Sequence, residues 1–461
     1  MKHSIQPFFA LLLALCLILS LAGCAAAEKA EAGVDALGEA AIRSDIEAPA
    51  EEGGKDIAAG ESKTELFYAD KSAMEGVGLS GELNEAAPVY DREASLAEPM
   101  APDDAGGPDD NILPGDAPDD LPSSAEPLKL TAAEWKDNDN WPFFTNLVNT
   151  AAISFPSFGL DPRHRLEVRV QGEDGTPRAN ETVSLTDAEG SALWQARTDK
   201  NGTAYLFWTE EQSPARVVCG TAEAPVQLPE ADGDAQGNSQ LRPVEAVTLN
   251  VGTEAQTPSG MQIMFIVDTT GSMSDEIAYL QKDFSAIAGR VGSEGMTWSA
   301  NFYRDEGDEY VTRTNGFCSD VSEIQAKLNA EYADGGGDIP EAVAEILTEC
   351  LAGQSEWDEN AVKLAFLIFD APPHDGKEAA LQAAVHAAAE KGIRLIPVVA
   401  SNAERETELF GRALAILTGG TYVFLTDDSG IGNSHLEPIV GNYEVELLQD
   451  LIVRIIDENR P

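Results

Sequence analysis

The sequence predicts an α/β domain with a doubly wound, mostly parallel sheet, preceded by an all-β sandwich domain and a disordered N-terminal tether. From Met261 onward, apolar runs alternate with segments of helical period, which is typical of a parallel sheet covered by helices on both faces. Between residues 165 and 251 the apolar residues recur with period two and are separated by turn signals. Residues 25–127 are rich in Ala, Gly, Pro, Asp and Glu and contain almost no aromatic residues, so they cannot bury a core.

The composition excludes some classes of partner. The chain has 461 residues, with 80 acidic and 30 basic side chains, and a net charge of −50. Such a chain repels nucleic acid and anionic lipid surfaces, so we expect no nucleic-acid binding. It attracts cations. Five cysteines are too few for a disulfide scaffold.

The N-terminus has the features of an export signal, predicted to span residues 1–23. An apolar run from Phe8 to Ala22 follows Lys2, and small residues precede Cys24. The stretch Leu21-Ala22-Gly23-Cys24 resembles the lipobox of bacterial lipoproteins. This resemblance implies that Cys24 is acylated and anchors the chain on the extracytoplasmic face of the cell membrane. An ordinary cleaved signal peptide or an uncleaved anchor helix is the alternative.

Four further segments are predicted downstream of the signal. Residues 24–127 form the acidic tether, and residues 128–163 form an aromatic lead-in that we expect to be a helix plus a loop. Residues 164–257 form an antiparallel β-sandwich, interpreted as a spacer. Its strand and turn spacing resembles bacterial Ig-like or carboxypeptidase-regulatory-like modules. Residues 258–461 form the α/β domain.

The elements of the α/β domain follow from the alternation of periods. The first strand is the nearly continuous apolar run Met261–Val267, as a strand buried on both faces requires. Further strands are predicted at 298–303, 364–369, 395–399 and 422–425. Helices are predicted at 275–290, 320–330, 340–351, 376–391, 403–415 and 442–457.

Oxygen-bearing side chains cluster where the first strand ends. Asp268, Thr270 and Ser272 alternate along Asp268-Thr269-Thr270-Gly271-Ser272. Ligands of open α/β sheets bind at the carboxyl ends of the strands. One carboxylate and two hydroxyls form a hard oxygen set that suits Mg²⁺. A short turn with a capping side chain is the alternative for this stretch.

This motif, within an α/β alternation, resembles the von Willebrand factor type A (VWA) domain and its metal-ion-dependent adhesion site. The resemblance covers roughly 258–461. It implies Mg²⁺ or Mn²⁺ held by loop one (Asp268, Thr270, Ser272), by a loop-two ligand and by Asp370 after the strand 364–369. The family's metal keeps one position open for an acidic group of a partner.

Loop two departs from the commoner pattern of the family. Gly337 stands where many VWA domains have a ligand Thr, within Gly335-Gly336-Gly337-Asp338-Ile339-Pro340-Glu341. The Asp-x-Pro-Glu piece resembles the integrin β-subunit version, in which the Glu approaches the metal. We therefore expect Glu341 or Asp338 to supply the loop-two carboxylate.

The same integrin-like resemblance implies a second cation, with Ca²⁺ as the candidate, near Asp275, Glu276 and Asp305. The alternative is that Asp275 and Glu276 are ordinary acidic residues of a helix's first turn, which the helix dipole favours. His374 follows Asp370 closely, and we expect it to be a hydrogen-bonding loop residue and not a ligand.

Three function classes follow. The first is a surface lipoprotein that binds a protein partner through a cation and the partner's carboxylate. The second is a structural or regulatory scaffold of an envelope complex with a purely structural metal. The third, a metal-assisted hydrolase, is disfavoured because no general base is evident and the Walker, His-Glu-x-x-His and Gly-x-Ser-x-Gly motifs are absent from the sequence. We therefore expect a protein that is not an enzyme.

Overall fold

The computed structural model describes residues 129–155, 158–229, 240–337, 339–353, 356–429 and 434–461. The predicted signal peptide, the lipidation site Cys24, the acidic tether and Asp338 lie outside these residues. Among the helices of the described ranges, none combines the length and the apolar character that a membrane crossing requires.

Fifteen strands and seven α-helices are found in the described ranges. The strands are β1 (Thr131–Trp135), β2 (His164–Gly172), β3 (Thr182–Thr186), β4 (Ala192–Arg197), β5 (Thr203–Trp208), β6 (Arg216–Cys219), β7 (Ala222–Pro225), β8 (Val247–Val251), β9 (Met261–Asp268), β10 (Met296–Tyr303), β11 (Thr312–Arg313), β12 (Val362–Phe369), β13 (Ile393–Val399), β14 (Tyr422–Thr426) and β15 (Val445–Leu447). The helices are α1 (Trp141–Asn149), α2 (Ser274–Val291), α3 (Val321–Ala330), α4 (Val343–Leu347), α5 (Glu378–Lys391), α6 (Arg405–Thr418) and α7 (Leu448–Glu458).

The main sheet has eight strands in the order β11-β10-β9-β12-β13-β14-β1-β15. The five strands from β10 to β14 run parallel to one another. The three strands outside this block, β11, β1 and β15, pair antiparallel with their neighbours. The predicted doubly wound, mostly parallel sheet is therefore confirmed.

Both faces of the main sheet are buried, as the apolar run of β9 requires. Ile263, Phe265 and Val267 belong to one buried apolar cluster, together with residues of α2, α3 and α7. Met264 and Ile266 belong to the other, together with residues of α4, α5 and α6. Successive side chains of a strand point to opposite faces, so an unbroken apolar strand specifies helices on both sides.

The lead-in segment begins with a strand that joins the main sheet, where the sequence predicted a helix plus a loop. β1 pairs antiparallel with β14, with Thr131 opposite Thr426 and Trp135 opposite Tyr422, and its other side pairs with β15. Ala132 and Ala133 are fully buried in it. Alanine favours helices in isolation, but here its small side chain fits beneath the covering helices and the pairing decides the conformation.

The β-rich segment forms two sheets, with strand orders β5-β2-β8 and β4-β3-β6-β7. Val168 and Leu206 of the first sheet share a buried apolar cluster with Val183 and Val217 of the second. The prediction of a wholly antiparallel sandwich is wrong at one pair, because β2 and β8 run parallel. The chain crosses from the second sheet to the first between β7 and β8, so β8 need not be antiparallel to its neighbour.

The sandwich contacts the amino edge of the main sheet. Arg197 Nε donates to the Glu390 carbonyl at 3.2 Å, and Asn180 Nδ2 donates to the Glu359 carbonyl at 3.0 Å. A Cβ at Gly419 would lie 3.5 Å from the ring of Tyr205. Glu359, Glu390 and Gly419 precede β12, β13 and β14, so the carboxyl edge stays uncovered by these contacts. The sequence suggested that the sandwich is a spacer that precedes the α/β domain. The chain instead enters β1 of the main sheet before it reaches the sandwich, so this interpretation is wrong.

A buried ion network joins the turn after β1 to α6. Arg412 is fully buried and donates to both carboxylate oxygens of Asp137, at 2.9 Å through Nε and 2.7 Å through Nη2. Its Nη1 donates to Glu408 at 3.2 Å, and Arg405 also pairs with Glu408. Asp137 accepts a further hydrogen bond from Trp135 Nε1. Buried charges need such complete pairing because water cannot solvate them.

We expect Asp137→Leu to lower the free energy of unfolding by about 3–5 kcal/mol, because it leaves the Arg412 charge buried without its bidentate partner. The matched control is Asp457→Ala, which breaks the exposed Arg460–Asp457 pair and should cost about 1 kcal/mol or less. Urea unfolding followed by circular dichroism measures both. Equal, small losses in the two variants would show that the network does not secure β1.

Candidate metal site

The loop after β9 carries the predicted loop-one oxygens. β9 ends at Asp268, and a single 3₁₀ turn, Gly271–Met273, leads into α2. Asp268 is fully buried, and its Oδ1 accepts hydrogen bonds from the Thr270 backbone N at 2.9 Å and the Thr270 Oγ1 at 2.7 Å. Thr270 Oγ1 and Ser272 Oγ are 3.5 Å apart. The three predicted residues therefore lie together at the carboxyl edge of the sheet.

Loop two folds against loop one. Gly271 N donates to the Gly335 carbonyl at 3.3 Å. A Cβ at Gly336 would lie 2.7 Å from Glu341 Oε1 and 3.2 Å from the Cβ of Thr270. Gly336 has a φ of 67°, a conformation that glycine adopts without strain. The glycines thus let the Glu341 carboxylate approach the loop-one side chains.

Loop three completes the cavity. Asp370 follows β12, and the backbone N of Glu341 donates to the Pro372 carbonyl at 3.0 Å. Together the three loops enclose a cavity of about 200 Å³. It is lined by Thr270, Gly271, Ser272, Gly335, Gly336, Gly337, Ile339, Glu341, Asp370, Ala371 and Asn402. Four predicted ligands line it, and the buried Asp268 is hydrogen-bonded to one of them.

Residues 262–430 match the family model of the von Willebrand factor A domain. This segment is a VWA domain. The matched range starts inside β9 and ends after β14, so β1, β15 and α7 of the same sheet and its covering layer lie outside it. A VWA domain is in general a module for protein–protein interaction or adhesion. A comparison with curated proteins found no match to the chain.

In the absence of a cation, the acidic side chains of the VWA cavity have raised pKa values. Burial, with a contribution from Asp370, raises the pKa of Asp268 to about 7. Burial also raises the pKa of Glu341 to about 9, with contributions from Asp268, Asp305, Asp370 and Asp308. Burial raises the pKa of Asp370 to about 6, against a lowering hydrogen bond from Ser272 and with a further raising contribution from Glu276. Asp370 thus disfavours the ionised form of Asp268, and Asp268 and Asp370 both disfavour the ionised form of Glu341.

The donor set fits a hard divalent cation. Asp268 Oδ2 and Glu341 Oε2 are buried and accept no hydrogen bond of regular geometry from the described residues. The buried Tyr303 hydroxyl lies beside Asp268 and acts to lower the pKa of that carboxyl. A buried carboxylate oxygen without a partner is costly, and a cation would satisfy it. Within the described ranges, no three Asp, Glu, His or Cys side chains stand close enough to form a metal cluster by themselves. The expected carboxylates of Asp268, Glu341 and Asp370 are therefore too far apart to form such a cluster in the cation-free geometry. A bound cation would have to draw them and the hydroxyls of Thr270 and Ser272 closer together.

The three residues predicted for a second cation make separate contacts. Asp305 Oδ1 lies 2.6 Å from His374 Nε2, so His374 has the hydrogen-bonding role that the sequence suggested. Glu276 is buried, and its Oε1 accepts from the backbone N and the hydroxyl of Ser401, at 3.2 and 2.6 Å. Asp275 lies in the first turn of α2. No hydrogen bond or ion pair in the described part of the chain joins these three side chains to one another.

Sequence reasoning overlooked two residues at the cavity. Asn402 lines it and has a φ of 64°, which Asn tolerates better than most residues. Asp308 accepts hydrogen bonds from Asp305 N at 3.0 Å and Gly336 N at 2.9 Å, so it fixes loop two. Asn402 follows the carboxyl end of β13, and the rule that pointed to Asp268 and Asp370 would have found it.

We expect Asp268→Asn to stabilise the protein in chelator at pH 8, by on the order of 2 kcal/mol, and to have less effect at pH 5. A carboxyl whose pKa is raised on folding supports stability at low pH and loses that contribution as the pH rises through about 7. The asparagine Oδ1 can still accept the Thr270 hydrogen bonds. Thermal unfolding at both pH values measures the effect.

The control for this experiment is Glu294→Gln, at an exposed position after α2, which should change stability little at either pH. A pH-independent effect of Asp268→Asn would contradict the electrostatic origin of the raised pKa.

Proposed function

We propose that the protein is a cell-surface lipoprotein whose VWA domain binds Mg²⁺ or Mn²⁺ and, through it, an acidic group of a protein partner. The observation that supports this best is the pair of buried carboxylates of Asp268 and Glu341, each with one oxygen that accepts no hydrogen bond of regular geometry from the described residues. Glu341, Thr270 and Ser272 line the same cavity, and Asp268 is hydrogen-bonded to the Thr270 hydroxyl. A divalent cation bound there would neutralise the mutual repulsion of these carboxylates.

The proposed ligand set is Asp268, Thr270, Ser272 and Asp370, with Glu341 as the loop-two carboxylate. Asp338, the other candidate for loop two, lies outside the described residues. Ser272 is exposed, whereas Asp268 and Asp370 are buried, so the ligands extend from the interior to the mouth of the cavity. The cation supplies a Lewis-acidic position that a carboxylate from outside can fill.

A binding role fits the cavity better than a catalytic one, and we propose that the protein is not an enzyme. The described residues that line the cavity include no His, Cys or Lys that could act as a base or a nucleophile beside the carboxylates. A scaffold of an envelope complex with a structural metal is the second candidate. The observation that favours it is the attachment of the sandwich to the amino edge. The sandwich offers a second surface, away from the cavity, at which a complex could assemble.

The proposed location is the extracytoplasmic face of the cell membrane. The support for it is the sequence Leu21-Ala22-Gly23-Cys24 after an apolar run. A lipid at Cys24 would attach the chain to the membrane, and the acidic residues that follow would be repelled by anionic lipid headgroups.

We expect calorimetric titration to show saturable Mg²⁺ binding that Asp268→Ala abolishes and the exposed-site control Glu294→Gln leaves unchanged. Glu341→Gln should weaken binding at least about tenfold if Glu341 is the loop-two ligand, whereas Asp338→Asn should then have little effect. If Asp338→Asn weakens Mg²⁺ binding and Glu341→Gln has little effect, Asp338 is the loop-two ligand. Wild-type protein that binds no Mg²⁺ or Mn²⁺ would refute the cation-dependent function.

We expect Cys24→Ala to release the protein from the membrane fraction of cells in which the native sequence is membrane-bound, because acylation requires the thiol. Fractionation with immunoblotting, together with labelling by a palmitate analogue, measures this. The matched control is Cys16→Ala, within the predicted signal, which should leave the location unchanged. Membrane retention of Cys24→Ala would favour an uncleaved anchor helix.

A further inference from the structure

The mouth of the cation cavity has one large apolar side chain. Ile339 lines the cavity and is 58 % exposed. Isoleucine is among the residue types most often buried, and the described part of the chain leaves only four large apolar side chains so exposed, the others being Leu228, Tyr332 and Val445. Ile339 is the one of these that lies at the proposed binding site.

The walls around Ile339 leave its side chain accessible to an incoming segment. Gly335, Gly336 and Gly337 have positive φ values of 79°, 67° and 134° and line the same cavity. A Cβ at Gly337 would meet no atom within 4 Å. The other apolar lining residue, Ala371, is small and 3 % exposed. The loop therefore presents the isoleucine beside open space and not beneath a neighbouring side chain.

The remaining side chains of the cavity are polar or acidic, so the site has two chemically different parts. Thr270, Ser272, Glu341 and Asp370 are the proposed cation ligands, and Ile339 is an apolar contact at their edge. A partner that satisfies both needs a carboxylate for the cation and an apolar side chain next to it. Without its cation the cavity is acidic and would repel that carboxylate.

We propose that Ile339 makes the site selective for an extended segment of a partner protein in which a large apolar residue is adjacent to an acidic one. This rests on the proposed cation-dependent function. The cation holds the carboxylate, and the apolar neighbour buries surface against Ile339. Ile339 determines specificity and is not a ligand of the cation.

The test uses the whole protein in Mg²⁺ and three capped hexapeptides: Gly-Gly-Asp-Leu-Gly-Gly, its Asp-Ser counterpart and its Asn-Leu counterpart. We expect the Asp-Leu peptide to bind about fivefold more tightly than the Asp-Ser peptide, as burial of roughly one or two methylene groups would give. Ile339→Ser should remove that preference, and Ile339→Val should retain most of it. Leu228→Ser, which removes an exposed apolar side chain of the sandwich segment, should leave it unchanged.

The outcomes separate the two proposals. Absence of Mg²⁺ binding, or equal binding of the Asn-Leu and Asp-Leu peptides, refutes the cation-mediated function itself. If Mg²⁺ binds and the Asp peptides bind without preference, or the preference survives Ile339→Ser, the role of Ile339 is wrong. Mg²⁺ binding with no peptide binding also overturns it. Circular dichroism of Ile339→Ser confirms that the fold is retained, as expected for an exposed side chain.

Discussion

The pairing of β1 between β14 and β15 is the constraint on which the rest of the structure depends. It brings Thr131–Trp135 beside two strands that follow about three hundred residues later. Because β1 precedes the sandwich and β9 follows it, the sandwich is inserted into the α/β fold and is fixed at both of its ends. The Arg412–Asp137 contact secures the turn after β1 against α6. The VWA match at 262–430 therefore covers only part of the sheet to which it belongs.

The α/β core was predictable because its strands are buried on both faces and so are continuously apolar, as in β9 and β12. The loop-one and loop-three residues were predictable for a related reason, since parallel strands end at one edge. β1 was not predictable, because Thr-Ala-Ala-Glu-Trp has no strand pattern of its own and its pairing is entirely long-range. The parallel β2–β8 pair was missed because period-two patterning reports burial and not strand direction. The loop-two ligand could not be assigned from the sequence, because Gly337 stands in place of the usual ligand side chain and does not indicate which residue takes its role.

The cavity combines two features that oppose each other in a cation-free protein. Backbone contacts, such as Gly271 to Gly335 and Glu341 to Pro372, draw the loops together. Burial, with contributions from neighbouring carboxylates, raises the pKa of Asp268 and of Glu341, so the ionised forms are disfavoured where these loops meet. The loops can keep this geometry because the sheet fixes the ends of β9 and β12, and the glycines of loop two allow the close approach. The cavity therefore lowers the stability of the cation-free protein, and binding of the proposed cation would restore that stability.

The direction of β1 also determines how a mechanical load would pass through the molecule. Thr131 lies opposite Thr426, at the carboxyl end of β14, so the chain that precedes β1 joins the sheet at the edge that carries the cavity. The sandwich contacts the opposite edge. A pull between the preceding chain and a molecule held at the cavity would enter and leave through the same edge, across the strands between β1 and β9. The hydrogen bonds of β1 to β14 and β15 would be the first to bear that force, before it reached the segment of chain that runs from β1 to the sandwich.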